Sequence, residues 1–332
     1  MTLELIKMQQ NQLYDISEAI ESVSWSGSVL SAARSVEFAI LNNPYDPGLQ
    51  LPDICTGDYI SLSMDTGELF FGQIFGIERS TAIGTITYTA YDFMKNLLES
   101  NGRYNFKNVT PEAIAAQVLA DIEVPYNHLE PTGVNIKSMI CDSVSYYDII
   151  MGAYTQAYRM TGNRYLPMIW QREFGVWPAV YTVGNFTLSD DSNITAASLS
   201  ESMDDIKNVI KIYDDKGNQV GEVADEPSTY TFGIFADIYD VEKGVDPTTG
   251  AKSKLKVTPT QTISITAVGD LNCLSGYSVM VKDAATGLSG KYWIKSDKHT
   301  WKNGTYMMEL DLSFEQLMDE KEIETEKEKK NG

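Results

Sequence analysis

Paired acids are the first residues of this chain with the makings of chemistry. Asp190-Asp191, Asp204-Asp205 and Asp214-Asp215 each set two carboxylates side by side. Glycoside hydrolysis needs two carboxylates that face one bond from separate elements, which neighbours on a turn rarely achieve. The pairs therefore read as solvated turn acids. None opens a calcium loop, which takes oxygen ligands at alternating positions and a closing glutamate. His128, Cys141 and Asp142 are the residue types of a cysteine nucleophile with base and acid. A loop histidine and a packing cysteine account for them with fewer demands. The stretch Thr286-Gly287-Leu288-Ser289-Gly290-Lys291 has the ending of a phosphate loop. Ala285 stands where the first glycine belongs and Tyr292 where Ser or Thr must be, so the match fails.

Cys55, Cys141 and Cys273 are odd in number and widely spaced, and the two histidines, His128 and His299, are far apart. A structural zinc site takes four ligands at short spacings, so these cysteines read as reduced packing residues. His299 is placed on a hairpin turn in a structural or interface role. The Asn-x-Thr triplets at Asn108, Asn185, Asn193 and Asn303 carry no meaning without secretion. No catalytic, cofactor-binding or metal-binding residue is expected, and the chain reads as a non-enzyme.

Charge narrows the partners. The chain carries 26 Lys and Arg against 46 Asp and Glu, a net −20. That surface repels phosphate, which argues against direct nucleic-acid binding and against an anionic membrane. No run of about 18 apolar residues is present, so no membrane-inserting helix is expected. The N-terminus lacks a basic segment followed by an apolar one, which leaves synthesis in the cytoplasm.

The elements are mostly strands. In 276–314, Tyr277, Val279 and Val281 alternate with polar neighbours, as do Met308, Leu310, Leu312 and Phe314. Period two means half-buried antiparallel strands, and Asn303-Gly304 suits a tight hairpin turn. A similar meander occupies 57–90. Shifted by 218 positions, Gly72 falls on Gly290 and Tyr88 on Tyr306, which suggests a duplicated β module. Residues 2–8 read as a first strand, 24–28 as a break in the pattern, and 42–48 as a loop holding Pro44 and Pro47.

From Asp92 the period turns helical. Thr110-Pro111-Glu112 opens a helix with Ile114, Val118, Leu119 and Ile122 on one face. A second helix follows Ser143 and Ser145 and stops at Gly162. Strands resume after 200; a mobile loop is expected over 240–256 and a frayed, solvated helix or tail over 315–332. The expected fold is α+β and mainly β: a first β-barrel domain at 1–91, an α/β insert at 92–195, a second barrel at 196–315, and a charged tail at 316–332.

The order of these features resembles the baseplate hub proteins of contractile phage tails, in the PBSX-type prophage and late-control-D group. The residues carrying the likeness are Gly57-Asp58-Tyr59-Ile60, Phe70-Phe71-Gly72-Gln73-Ile74, Tyr88-Thr89-Ala90-Tyr91-Asp92, Ser202 to Val209, and the ending from Ser275-Gly276-Tyr277 to His299. The resemblance implies two tail-tube-like barrels and a homotrimer. Three copies of two barrels would adapt a three-fold central spike to a six-fold tail tube. It implies the tube or tube-initiator protein, the spike and other baseplate proteins as partners, no cofactor, assembly in the bacterial host cytoplasm, and a place in the baseplate of a virion or phage-tail-like bacteriocin particle. An acidic ring would also let DNA pass without sticking. The alternative reading is a carbohydrate- or cell-wall-binding β module, with peptidoglycan hydrolase activity as its weaker half. There Trp25, Trp170, Trp177, Trp293 and Trp301 would serve as stacking platforms.

Overall fold

Alternation of apolar and polar residues fixes most of the elements. The computed structural model describes residues 1–41, 52–79, 84–241 and 246–323. The chain opens with β1 (Thr2–Lys7), β2 (Gln12–Asp15), β3 (Ile20–Ser28), β4 (Ser31–Leu41), β5 (Tyr59–Met64), β6 (Gly67–Arg79) and β7 (Thr85–Tyr91). Helices then enter, with α1 (Met94–Glu99), β8 (Asn101–Val109), α2 (Pro111–Asp121), β9 (Tyr126–Leu129), β10 (Ile136–Ser145), α3 (Tyr146–Thr161), β11 (Tyr165–Trp170) and β12 (Glu173–Pro178). Next come β13 (Thr182–Ser189), β14 (Ile194–Ser202), β15 (Val209–Tyr213), β16 (Gln219–Ala224), α4 (Glu226–Phe232), β17 (Ala236–Asp240) and α5 (Pro247–Ser253). The series closes with β18 (Thr260–Val268), β19 (Ser278–Asp283), β20 (Leu288–Lys302) and β21 (Thr305–Ser313). These elements make two compact units, the larger from the described residues of 1–197 and 264–323, the smaller from those of 198–263.

In the larger unit lies most of a 13-stranded sheet, in the order β14-β18-β21-β20-β3-β4-β7-β6-β5-β1-β2, with β13 beside β19 and β19 beside β20. The fold is mainly β, and no closed barrel forms among the described residues. Leu3, Leu5, Val36, Phe38, Ile60, Leu62 and Ile74 line one core of this sheet. The break expected at 24–28 is in fact the end of β3. Val23 and Trp25 point inward between serines, and Gly27 leaves room for Arg34, whose Nη1 would stand 2.1 Å from an added Cβ. The sequence obscured this strand because its outward positions are small and polar. The loop expected at 42–48 lies outside the described residues.

The helical stretch builds a second core. Ile114, Val118 and Leu119 of α2 pack with Tyr147, Ile150 and Tyr154 of α3. Ser145 caps α3 by accepting the Asp148 N–H at 3.0 Å, and Gly162 ends it with φ +78°. Thr110 precedes α2 in extended backbone, without a side-chain cap bond. Residues 316–323, expected as a solvated tail, are laid along α3. Met318 is buried, the Tyr147 hydroxyl donates to Asp319 at 2.8 Å, and the Lys321 N–H donates to Thr155 Oγ1 at 3.0 Å. Arg159 forks onto Glu322, and Ile323 rests over Gly152. Single anchors spaced among charges leave no periodic signal, so the strap is invisible to pattern. Residues 324–332 lie outside the described residues.

The smaller unit is a three-stranded sheet, β16-β15-β17, with Ile210, Ile212 and Tyr239 packed on Ala251 of α5. The mobile loop expected at 240–256 is partly this helix. Asp246 accepts the Thr249 N–H at 2.9 Å and Pro247 sits in the first turn, a strong start signal inside a polar stretch. Residues 242–245 of that expected loop lie outside the described residues.

Candidate functional site: a doubled strand clamp and a buried ionic joint

Both meanders begin on the same device. Gly57, at φ +93°, donates its N–H to the Ile74 carbonyl at 2.8 Å, and Ile74 donates back to the Asp58 carbonyl at 2.8 Å. Gly276, at φ +89°, donates to the Ile294 carbonyl at 2.8 Å, and Ile294 donates back to the Tyr277 carbonyl at 2.8 Å. A turn closes around each glycine, with Asp58 N–H on the Cys55 carbonyl (3.2 Å) and Tyr277 N–H on the Leu274 carbonyl (3.0 Å). Only glycine adopts this backbone without strain.

The long middle strands also match. Gln73 lies opposite both Tyr59 of β5 and Tyr91 of β7, so β6 changes partner there, and a register shift follows between Ile74 and Gly76. Trp293 lies opposite both Ser278 of β19 and Ser313 of β21, and the shift follows between Ile294 and Ser296. Bulges of this kind re-aim a strand. The structural counterparts are thus Gly57 with Gly276 and Ile74 with Ile294. The constant shift of 218 paired the wrong residues: Ile74 faces Ala90 as Ile294 faces Leu312, so Tyr88 corresponds to Leu310 and not to Tyr306.

Between the meanders, β3 and β4 bring a buried ionic joint. Arg34 Nη1 donates to Asp297 Oδ1 at 3.1 Å and Nη2 to Oδ2, while its guanidinium lies 4.2 Å over the Trp25 ring. Asp297 also accepts the Ser275 N–H at 2.7 Å, next to the second clamp glycine. His299 Nε2 stands 3.4 Å from Asp297 Oδ2, and its Nδ1 shares a 2.8 Å hydrogen bond with the Tyr306 hydroxyl. Burial alone would raise the Asp297 carboxyl, but Arg34 and His299 hold it well below the usual carboxylate range. Asp92 shows the reverse balance: burial pushes it up to about 7, against its bonds from the Arg34 and Met94 N–H groups. The arrangement locks strands together; it presents no open reacting position.

Residues considered for chemistry are dispersed. His128 bonds Glu130 at 2.9 Å and stacks on Trp177, whereas Cys141 is buried on β10 and Asp142 pairs with Arg103 at 2.9 Å. Burial pushes the Cys141 thiol up to about 11, which opposes nucleophilic use. His299 is not on a turn but within β20, fully buried between Trp25 and Met308. Asp190 takes the Ala284 N–H at 2.9 Å, Asp204 the Ser202 hydroxyl at 2.7 Å, and Asp214 three donors of its own turn. Among the described residues no group of three or more His, Cys, Asp or Glu is placed to hold a metal. No helix among them is long and apolar enough to cross a membrane. The joint itself was missed, although its signal was present: Arg34 shares the inward parity of Val36, Phe38 and Ile40, and Asp297 that of His299.

A family model described as YQBQ-like matches residues 23–313. Protein YqbQ of Bacillus subtilis (strain 168) is 26% identical over 328 residues, covering 93% of this chain and 96% of that one. The phage-like element PBSX protein XkdQ of the same organism is 26% identical over 318 residues, covering 90% and 94%. Among solved structures, the 43 kDa tail protein of prophage MuSo2 from Shewanella oneidensis has a TM-score of 0.70 at 15% identity, covering 94% of this chain and 98% of that one.

Proposed function

The chain belongs to the YQBQ-like family, and from that premise we propose that it is a structural baseplate hub of a contractile tail, a ring-forming adaptor between tail tube and central spike. The observation that carries the proposal is the doubled clamp, Gly57–Ile74 and Gly276–Ile294, with a partner change and a bulge at matching places. An adaptor from three-fold to six-fold symmetry requires two alike modules in each of three copies. The relative from a PBSX phage-like element and the fold shared with a prophage tail protein support the same reading.

In this reading 1–91 and 196–315 are the two tube-like barrel modules, closed by neighbouring copies, and 92–195 is inserted between them. The compact unit 198–263 is a further insertion in the second module. The charged tail, 316–332, is anchored in this reading through its described part, 316–323. The partners are the tube or tube initiator, the spike and other baseplate proteins. The net −20 suits a lumen that repels DNA phosphate. The wall-binding alternative has less support: Trp25 is buried beneath Arg34, Trp293 lies under Lys291, and Trp301 stacks on Tyr306.

Light scattering on a sizing column tests the hub. The expected mass is three times 37.0 kDa, alone or after co-expression with a spike protein of the same tail. A monomer under both conditions would sink the proposal.

A further inference from the structure

We propose that the apolar tip of the smaller unit, 230–235, docks in an apolar groove on the larger unit of a second copy of this chain. The proposal rests on the ring reading above and names the contact that would close it.

The groove has a volume of about 350 Å³ and is walled by Leu166, Met168 and Trp170 of β11 with Trp177, Val180 and Tyr181 after it. Trp170 is 48% exposed and Val180 70%. Its apolar walls suit hydrocarbon and aromatic side chains better than a hydroxyl-covered sugar. In a chain this acidic, such a patch left in water marks an interaction site.

The same chain carries a matching projection. At the end of α4, Tyr230 is 94% exposed and Ile234 75%, on either side of Phe232 and Gly233. Nothing within the fold holds these side chains out of water, so the tip is built to be covered from outside.

Charge selects the occupant. From 217 to 241 the chain has five acids, Glu222, Asp225, Glu226, Asp237 and Asp240, and no Lys or Arg. The tip is therefore apolar with an acidic rim. Beside the groove stands Arg164, whose carbonyl accepts the Ala179 N–H at 2.9 Å. Its guanidinium lies over the Tyr158 ring and donates to that hydroxyl at 3.0 Å, and it makes no ion pair among the described residues. A second copy thus offers both the apolar filling and the carboxylate that Arg164 lacks, with Glu226 of the α4 first turn as its partner. Groove and tip are different surfaces, so the contact is head-to-tail and repeats into a ring if the rotation closes.

Single-cysteine variants Val180→Cys and Ile234→Cys, each in a Cys55→Ser background, are mixed and oxidised. Both positions are exposed, so folding is not at issue, and mixing excludes a bond within one chain. A covalent dimer in the mixture, absent from either variant alone, is expected. In parallel, Arg164→Glu weakens self-association at least tenfold, and Glu226→Arg mixed with it restores the wild-type value. The charge exchange decides where disulfide geometry fails: association unchanged by Arg164→Glu and a mixture without covalent dimer overturn the contact. A trimer that persists with that result leaves the ring standing on another surface. A covalent dimer from a chain that never trimerises, with or without the spike, keeps the contact and removes the hub.

Discussion

Arg34 and Asp297, 263 positions apart, meet as a bidentate pair with the carboxylate side chain wholly buried. The pair joins β4 to β20, and through the Ser275 N–H on Asp297 it touches the turn that leads into the second clamp. It therefore ties the turn before the second meander to β4, the strand that pairs with β7 of the first.

Breaking one side of this pair leaves the other charge buried without compensation, which costs about 3–5 kcal/mol. Asp297→Ala is expected to destabilise the chain by that order in urea unfolding, with Arg34→Ala similar. The double variant is expected to cost much less than the sum, because the orphaned charge is then gone. Additive losses would show that the two residues act separately.

The two buried carboxylates have opposite pH signatures. Asp297 is depressed in the folded state, so its stabilisation is complete above its unfolded pKa near 3.8 and fades as pH falls toward the folded one. Asp92 is raised to about 7, so the folded chain binds more protons between 3.8 and 7 and its contribution weakens as pH rises through that window. One such group gives a slope of up to about 1.4 kcal/mol per pH unit. Asp92→Asn is expected to remove that fall in stability between pH 4 and 7, while the acid limb below pH 4 stays. A variant with the wild-type slope would put the raised group elsewhere.

The strands of both meanders were legible because one face of each meets a core and the other meets water. Thr85–Tyr91 and Ser278–Asp283 show that alternation directly. The helices α2 and α3 were legible from caps and spacing, and the loop-like 240–256 hid α5 because its apolar content is little more than Ala251. What stayed hidden depends on contacts between distant residues. The Arg34–Asp297 pair, the Ile323–Gly152 rest and the sheet order that puts β3 beside β20 have no local period. The repeat was detectable but misregistered, since the hairpins differ in length: Ile74 pairs with Ala90, 16 positions on, and Ile294 with Leu312, 18 positions on.

Counterpart glycines are expected to respond unequally to the same change. Gly57→Ala meets only a positive φ, since the nearest atom to the new Cβ is Gln73 Nε2 at 3.9 Å. That strain is worth about 1–2 kcal/mol. Gly276→Ala meets the same strain and sets its Cβ 2.5 Å from Leu166 Cδ1. Its loss is expected to exceed that of Gly57→Ala by about 1 kcal/mol or more, in line with overpacking. Equal losses in thermal unfolding would mean that Leu166 yields freely.

The strap along α3 hangs on one buried hydroxyl. Tyr147→Phe keeps the ring in the core and removes the 2.8 Å bond to Asp319, a carboxylate that Lys321 meets at 3.3 Å. Losing a hydrogen bond to a charged group costs about 1.5–3 kcal/mol, and Lys321 stays beside the carboxylate. Because Met318 and the Arg159–Glu322 pair remain on either side, the expected result is local loosening of the strap and not loss of α3. Hydrogen exchange should quicken at the Lys321 amide, which donates to Thr155, while the amides of α3 stay protected. Faster exchange throughout α3 would show that the strap is part of the helix's own stability; unchanged exchange at Lys321 would show that the hydroxyl does not hold it.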